Sequence, residues 1–333
     1  MKESIVVVGG GAIGGTVAAY LHRTGVPVRL VDTNAAHVAA ICDRGLYIRA
    51  YDEEFAVPVR ADTPETFDGS LKKVFLATKA LHTTAAMEWI GPRLDEDGWV
   101  VSLQNGLNES VIAEHIGTHR TIGCFVNFSS DVMAAGAIDY GGPGTFAIGE
   151  LDGSVTPRVA EVAEHIRGFL DPIVTPNIWG YLWSKLAYGA LLFATATTDE
   201  TMADCVDHPR YREALIRCSR EVVDLAAIQH IDLWPFDGWD PRVLNDRRDT
   251  DAMLDRLSGV MRKNLKVRSG VWRDLAVHHR KTEIDAQYGP VMDVAQQYHY
   301  PMPVLEALVS IIHGIERQEQ ARGWHNLEQL LDA

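Results

Sequence analysis

Hydrophobic residues come first in an unbroken run, Ile5-Val6-Val7-Val8. A run without alternation predicts a short strand buried on both faces. Residues 12–24 then space their apolar positions as a helix does, and 28–31 form a second short strand. Residues 74–77, 100–103 and 122–128 read as further strands, separated by helical stretches at 81–94 and 108–115. Such strand–helix alternation predicts an α/β domain built on a doubly wound parallel sheet. Within it, 46–50 and 55–59 bracket the polar Asp52-Glu53-Glu54, a predicted hairpin insert, and 145–148 reads as a late strand. Beyond Pro176 the pattern becomes helical, with predicted helices at 178–197, 209–229, 250–263, 281–299 and 303–321. A tryptophan-rich loop, Leu233-Trp234-Pro235-Phe236-Asp237-Gly238-Trp239, interrupts them. The reading is two domains: 1–176 around the sheet and an all-helical 177–333.

The chemistry begins between the first strand and the first helix. Gly9-Gly10-Gly11-Ala12-Ile13-Gly14 carries GxGxxG at Gly9, Gly11 and Gly14. Following a strand and opening a helix, this pattern predicts a Rossmann dinucleotide site. Gly9 permits the tight turn, Gly11 lets backbone approach a pyrophosphate, and Gly14 lets helix and strand pack closely. Gly11, Ala12 and Ile13 then offer helix N-terminal N–H groups to the anion. Asp32 ends the second strand, where a carboxylate bonds the adenosine ribose hydroxyls and repels a 2′-phosphate. Thr33 and Asn34 after it include no arginine, which favours NAD and leaves NADP possible. Without a ligand, the same residues would be a structural glycine turn and a strand-end cap.

Composition narrows the partners. The 333 residues are 47% hydrophobic and 23% charged, with 31 basic against 45 acidic side chains and a net charge of −14. A surface so acidic repels phosphate backbones and anionic lipid, so neither nucleic acid nor a membrane is an expected partner. Cys42, Cys124, Cys205 and Cys218 form no CxxC and are expected as buried thiols in a reducing compartment. No apolar run reaches the ~20 residues that span a bilayer, and the N-terminus lacks a signal-peptide layout. A cytoplasmic protein is expected. His278 and His279 are adjacent and diverge on a helix; with Arg273, Arg280 and Lys281 they form a basic cluster, read mainly as a solvated helix face. No metal-ligand spacing is present, and no metal is expected. Core packing is the default for Trp234, Trp239 and Trp272, each of which could instead line a pocket or a subunit contact.

Four further segments carry a resemblance: Ala77-Thr78-Lys79-Ala80, Gln104-Asn105-Gly106, Trp183-Ser184-Lys185-Leu186 and Lys281-Thr282-Glu283-Ile284-Asp285. Together with the glycine motif, and in this order, they resemble the ketopantoate reductase (2-dehydropantoate 2-reductase) family along nearly the whole chain. The resemblance implies that Lys185 is the general acid/base of a carbonyl reduction, where a cation also steadies the developing alkoxide. It implies that Asn105 contacts nicotinamide and substrate, that Lys79 lies on the adenosine side, and that Glu283 holds cofactor and active site together. Read without the family, Lys185 is a helix lysine among Trp183, Leu186 and Tyr188, and Lys79 is a surface lysine. Asn105 is then a left-handed turn residue, and Glu283 is first-turn helix charge behind a Thr282 cap.

Departures from the family pattern matter for the substrate. Pantoate-reducing members carry asparagines four and eight residues after the lysine, on its own helical face. Those positions here are Gly189 and Phe193. Before the TEID segment, Ser269-Gly270-Val271-Trp272-Arg273-Asp274 replaces a serine-rich stretch, and Asp32 replaces a basic residue. Gly189, Phe193 and Trp272 are therefore expected at a less polar substrate. The expected function is an NAD(P)-dependent dehydrogenase of a 2-oxo acid/2-hydroxy acid pair or another secondary alcohol, with the two domains flanking a cleft; a homodimer is expected. Alternatives are a true NADPH-dependent 2-dehydropantoate 2-reductase, a β-hydroxyacid-type dehydrogenase and a non-catalytic NAD(P)H sensor.

Overall fold

The first strand shows why its sequence does not alternate. In a computed structural model describing residues 4–244, 246–263 and 267–333, β1 (Ile5–Val8) is buried at all four positions. Ile5 and Val7 join one apolar cluster with Leu21, Leu30 and Phe75. Val6 and Val8 join another with Val31, Leu76 and Met87. A sheet with a core on each face needs apolar side chains at every position.

The elements that follow are α1 (Ala12–Arg23), β2 (Val28–Val31), α2 (Ala35–Arg44), β3 (Leu46–Ala50), β4 (Glu54–Val57), β5 (Arg60–Asp62), β6 (Leu71–Leu76) and α3 (Thr83–Ile90). After them come β7 (Leu94–Ser102), α4 (Asn108–Ile116), β8 (Thr121–Val126), β9 (Ser130–Ala134), β10 (Ala137–Tyr140), β11 (Phe146–Glu150), α5 (Pro157–Ile166) and β12 (Ile173–Val174). Eight strands form the main sheet in the order β12-β11-β8-β7-β6-β1-β2-β5. Every neighbouring pair is parallel except β8–β11. The chain passes from β1 to β2 on one side and later to β6 on the other. The strand order therefore reverses between β1 and β6, the place where open α/β sheets bind ligands beyond their carboxyl ends.

The hairpin insert is present as β3–β4, but it is half of something larger. A second sheet runs β4-β3-β10-β9, with β10 parallel to β3 and antiparallel to β9. Helix α1 packs on it so closely that a Cβ on Gly15 would stand 2.3 Å from Ile138 Cδ1. Tyr20, from the same helix, stacks on Phe169 and meets Phe55 and Tyr140 edge to face.

Contacts divide the chain into two compact units that meet between Ile178 and Trp179. The second is helical: α6 (Ile178–Ala196), α7 (Met202–Asp207), α8 (Arg212–Ile228), α9 (Arg247–Lys263), α10 (Gly270–Ala276), α11 (Ile284–Gln297), α12 (Pro303–Glu316) and α13 (Trp324–Asp332). Its tryptophan-rich loop is fastened to α6. Trp239 is 1% exposed and donates from Nε1 to the Ser184 carbonyl at 3.2 Å, while Ser184 Oγ accepts the Trp234 N–H at 3.0 Å. Trp239 is thus core, whereas Trp234 is 44% exposed and stacks on Tyr181.

Cys124, Cys205 and Cys218 are buried, but Cys42 is exposed, against expectation. It lies on α2, a helix the sequence reading did not foresee; its thiol donates to the Ala61 carbonyl at 3.3 Å. Among the described residues, no helix is long and apolar enough to cross a membrane, and no group of three metal-ligating side chains forms.

The fastening of the loop predicts a graded loss of stability. Trp239→Phe keeps most of the packing and removes one hydrogen bond, costing about 1 kcal/mol. Trp239→Ala should cost about 3–5 kcal/mol. Urea unfolding of both variants checks this, and equal losses would show that the indole N–H, not the ring, carries the contact.

Candidate active site

Three glycines at the end of β1 each answer a different steric demand. Gly9 has φ +99°, and a Cβ on it would lie 2.7 Å from both Ala77 C and Thr78 N. No L side chain fits that turn. On Gly14 a Cβ would sit 2.0 Å from the Gly9 carbonyl oxygen and 2.8 Å from Ala77 Cβ. Gly11 is the opposite case: nothing lies within 4 Å of where its Cβ would be. That open ground lies at the start of α1, where Gly11 is the N-cap and makes no side-chain cap, and no acidic residue occupies the first turn. Ala12 and Ile13 follow, half-buried. A helix start without side-chain caps, fronted by a glycine that leaves space, suits a pyrophosphate.

Asp32 stands just past β2 and is bound to this loop. Its Oδ2 accepts the Gly10 N–H at 2.7 Å and its Oδ1 accepts the Asn34 N–H at 2.8 Å. The arginines nearest in the sheet are already engaged: Arg29 pairs with Asp62 and Asp68, and Arg60 with Asp68. Neither is left to neutralise an added phosphate beside Asp32.

A polar network joins the ends of β6 and β7. Gln104, 4% exposed, donates from Nε2 to the Thr78 carbonyl at 2.9 Å and to Thr83 Oγ1 at 2.9 Å. Thr83 donates on to Asn108 Oδ1 at 2.8 Å, and Asn108 Nδ2 donates to the Asn105 carbonyl at 2.6 Å. Asn105 is thereby held by its backbone, with the residue itself exposed. The left-handed conformation expected for it belongs instead to Gly106, at φ +95°. Lys79 is half-buried in the turn after β6. Gln104 stands in the sequence motif, whereas Thr83 and Asn108 carry no sequence signal, since only the fold brings them together with it.

In the helical unit, Lys185 lies partly exposed on α6 with Tyr188, Gly189 and Leu192, while the residues between them are buried. This spacing is one helical face. The empty place at Gly189 is filled by Tyr288 of α11. A Cβ there would stand 2.7 Å from the phenol oxygen, which donates to the Leu186 carbonyl at 2.7 Å. Burial pushes the Tyr288 phenol up, so it remains a donor, and burial with the nearby Asp237 does the same for Tyr188.

Phe193, expected at the substrate, is 2% exposed and meets Tyr288 edge to face at 5.6 Å. That expectation is corrected: its ring belongs to the core of the helical unit. Glu283 is half-buried and is the N-cap residue of α11, one position later than the expected Thr282. Thr282 itself accepts the Ile284 N–H and donates to Glu316. Trp272, on α10, is half-buried with the Arg268 guanidinium 4.6 Å from its ring centroid. His278 and His279 fall in the loop between α10 and α11 rather than on a helix, and Arg280 pairs with Asp274.

Comparison with known proteins covers both units. The family model "Ketopantoate reductase PanE/ApbA" matches residues 5–153, and its C-terminal counterpart matches 177–316. A 2-dehydropantoate 2-reductase of Mesorhizobium japonicum is 31% identical over 220 residues, covering 58% of this chain and 68% of that one. One from Halobacterium salinarum is 24% identical over 319 residues, 94% of this chain and 99% of that one. D-mandelate dehydrogenase, solved as a ternary complex with NADH and anilino(oxo)acetate, shares the fold. Its TM-score is 0.82 at 20% identity, over 95% of this chain and 99% of that one.

The contrast between two glycines gives a test. Gly11→Ala should melt within about 0.5 kcal/mol of the wild type and yet bind NADH more weakly, because the added methyl occupies the open ground before α1. Gly14→Ala should lose stability outright, since backbone cannot yield the room. Thermal unfolding and NADH fluorescence titration separate the two, and a Gly11→Ala protein with full NADH affinity would rule out that ground as the pyrophosphate site.

Proposed function

The chain belongs to the ketopantoate reductase family of nicotinamide-dependent oxidoreductases, and we propose that it moves a hydride between NAD and a 2-oxo acid/2-hydroxy acid pair, with Lys185 as proton carrier. The observation that carries this reading is the glycine cradle at the β1–β6 switch point, closed to side chains at Gly9 and Gly14 and open at Gly11. Gly9, Gly11, Ala12, Ile13 and Gly14 would hold the pyrophosphate, Asp32 the adenosine ribose, and Lys79 the adenosine side. A bound nicotinamide supplies or accepts the hydride. In reduction Lys185 Nζ gives a proton to the carbonyl oxygen as charge develops there; in oxidation it takes the hydroxyl proton back. Asn105 orients that oxygen, and Glu283 holds the catalytic groups in register.

NAD is favoured over NADP by the Asp32 carboxylate, which would face a 2′-phosphate with Arg29 and Arg60 already paired elsewhere. A substrate with an aromatic or apolar side chain is favoured by the face that Lys185 shares. Tyr188, Gly189 and Leu192 offer no amide there, and Tyr288 fills the place where the family carries one. The fold neighbour that binds anilino(oxo)acetate points the same way. A homodimer completes the proposal, and the solution mass tests it.

Initial rates with NAD⁺ and NADP⁺ across aromatic, aliphatic and hydroxylated 2-hydroxy acids test the reading, together with the reverse reaction on ketopantoate. Turnover with NAD⁺ on apolar substrates is expected. Activity confined to ketopantoate and NADPH would overturn both preferences, and NADH binding without any turnover would make the chain a sensor. Lys185→Ala should lower kcat by ~10²–10⁴-fold with NADH affinity kept; an unchanged kcat removes Lys185 from the mechanism.

A further inference from the structure

Gly10, between the first two glycines of the motif, is held from both sides. Its N–H donates to Asp32 Oδ2 at 2.7 Å, and its carbonyl lies 2.9 Å from His37 Nε2. His37 is 5% exposed on α2. Its other ring nitrogen, Nδ1, stands 3.0 Å from the Gly136 backbone nitrogen. That nitrogen can only donate, so Nδ1 must accept, and the ring is neutral with its proton on Nε2. Nε2–H therefore donates to the Gly10 carbonyl, and one imidazole ties the glycine loop to the β9–β10 turn.

The second sheet also grips the start of α1 elsewhere: Ser130 Oγ donates to the Ala12 carbonyl at 3.1 Å and lies 2.9 Å from Thr16 Oγ1. Leu30 of β2 packs close to Gly10, so a Cβ there would be 2.5 Å from Leu30 Cδ2.

We propose that His37 is a positioning residue for the dinucleotide: by fixing the plane of the Gly10 peptide it aims the Gly11 N–H and the first turn of α1 at the cofactor. The inference rests on the dinucleotide reading of the glycine loop. It gives the second sheet a task, which is to brace the loop through the Gly136 turn. An imidazole suits this because it presents a donor and an acceptor on opposite edges of one rigid ring.

Three variants separate positioning from packing. In His37→Gln an amide N–H₂ can stand near the place of Nε2 and reach the Gly10 carbonyl. In His37→Asn the shorter amide can stand in for Nδ1 at Gly136 and cannot reach Gly10. His37→Ala keeps neither. NADH dissociation constants from fluorescence titration, kcat at saturating NADH, and melting temperatures are measured for all three.

The Ala and Asn variants should weaken NADH by about tenfold, equivalent to ~1.4 kcal/mol, with kcat unchanged, and Gln should recover most of that loss. A purely structural ring would give affinities that follow melting temperature instead of the Gly10 donor. An Asn variant that binds NADH as tightly as the wild type, or a Gln variant as weak as Ala, overturns the proposal. A wild type that binds no dinucleotide overturns the reading of the loop and this inference with it, so the wild-type titration tells the two failures apart.

Discussion

Where β1 turns into α1, Gly9 and Gly14 leave no room for a Cβ, and the strands and helix beside them are packed around that lack of room. Gly9 lies against the backbone of Ala77 and Thr78, and Gly14 against the Gly9 carbonyl. These approaches bring the carboxyl end of β6 up to the loop after β1 at the point where strand order reverses. A larger residue at either position would push helix from strand and spread the crevice in which ligands of such sheets sit. The space at Gly11 stays open between two companions packed to contact.

The electrostatics follow from the same backbone. A chain of net charge −14 repels dinucleotides at long range, so an anion must be met by local donors. At the glycine loop those donors are main-chain N–H groups at a helix start, which carry partial positive charge and bring no counter-ion of their own. Asp32 adds a negative charge a few residues away without spoiling this, because the Gly10 and Asn34 amides absorb part of it. Its remaining acceptor capacity is suited to sugar hydroxyls and unsuited to a further phosphate.

How much could be read in advance depended on whether a residue's fate is decided by its neighbours in sequence. The all-apolar Ile5–Val8 run announced a strand between two cores, and the helix expected at 178–197 is α6, Ile178–Ala196. Helix α2 was hidden because its buried positions are His37, Val38, Ala40 and Ile41, a weak apolar signal shared with an outward Cys42. Strands β9 and β10 were hidden for another reason. Val132 and Met133 are exposed, and β10 owes its place to pairing with β3, far back in the chain. The glycines and Asp32 were legible as a motif; the clamp of His37 on Gly10 was not, since it joins three separate segments of the chain.

The face of α6 that carries Lys185 likewise depends on partners distant in sequence. Against the family pattern, Gly189 reads as the loss of one amide, a single subtraction. In the folded unit it is matched by a neighbour, because the Tyr288 phenol stands where the side chain would be and bonds the Leu186 carbonyl. Residues in such contact are not independent, and their effects do not add. Phe193, meeting Tyr288 edge to face, is the third member of the set. Gly189, Phe193 and Tyr288 therefore act as one coupled set anchored in the helical core. A substitution at any one of the three would be felt by the other two.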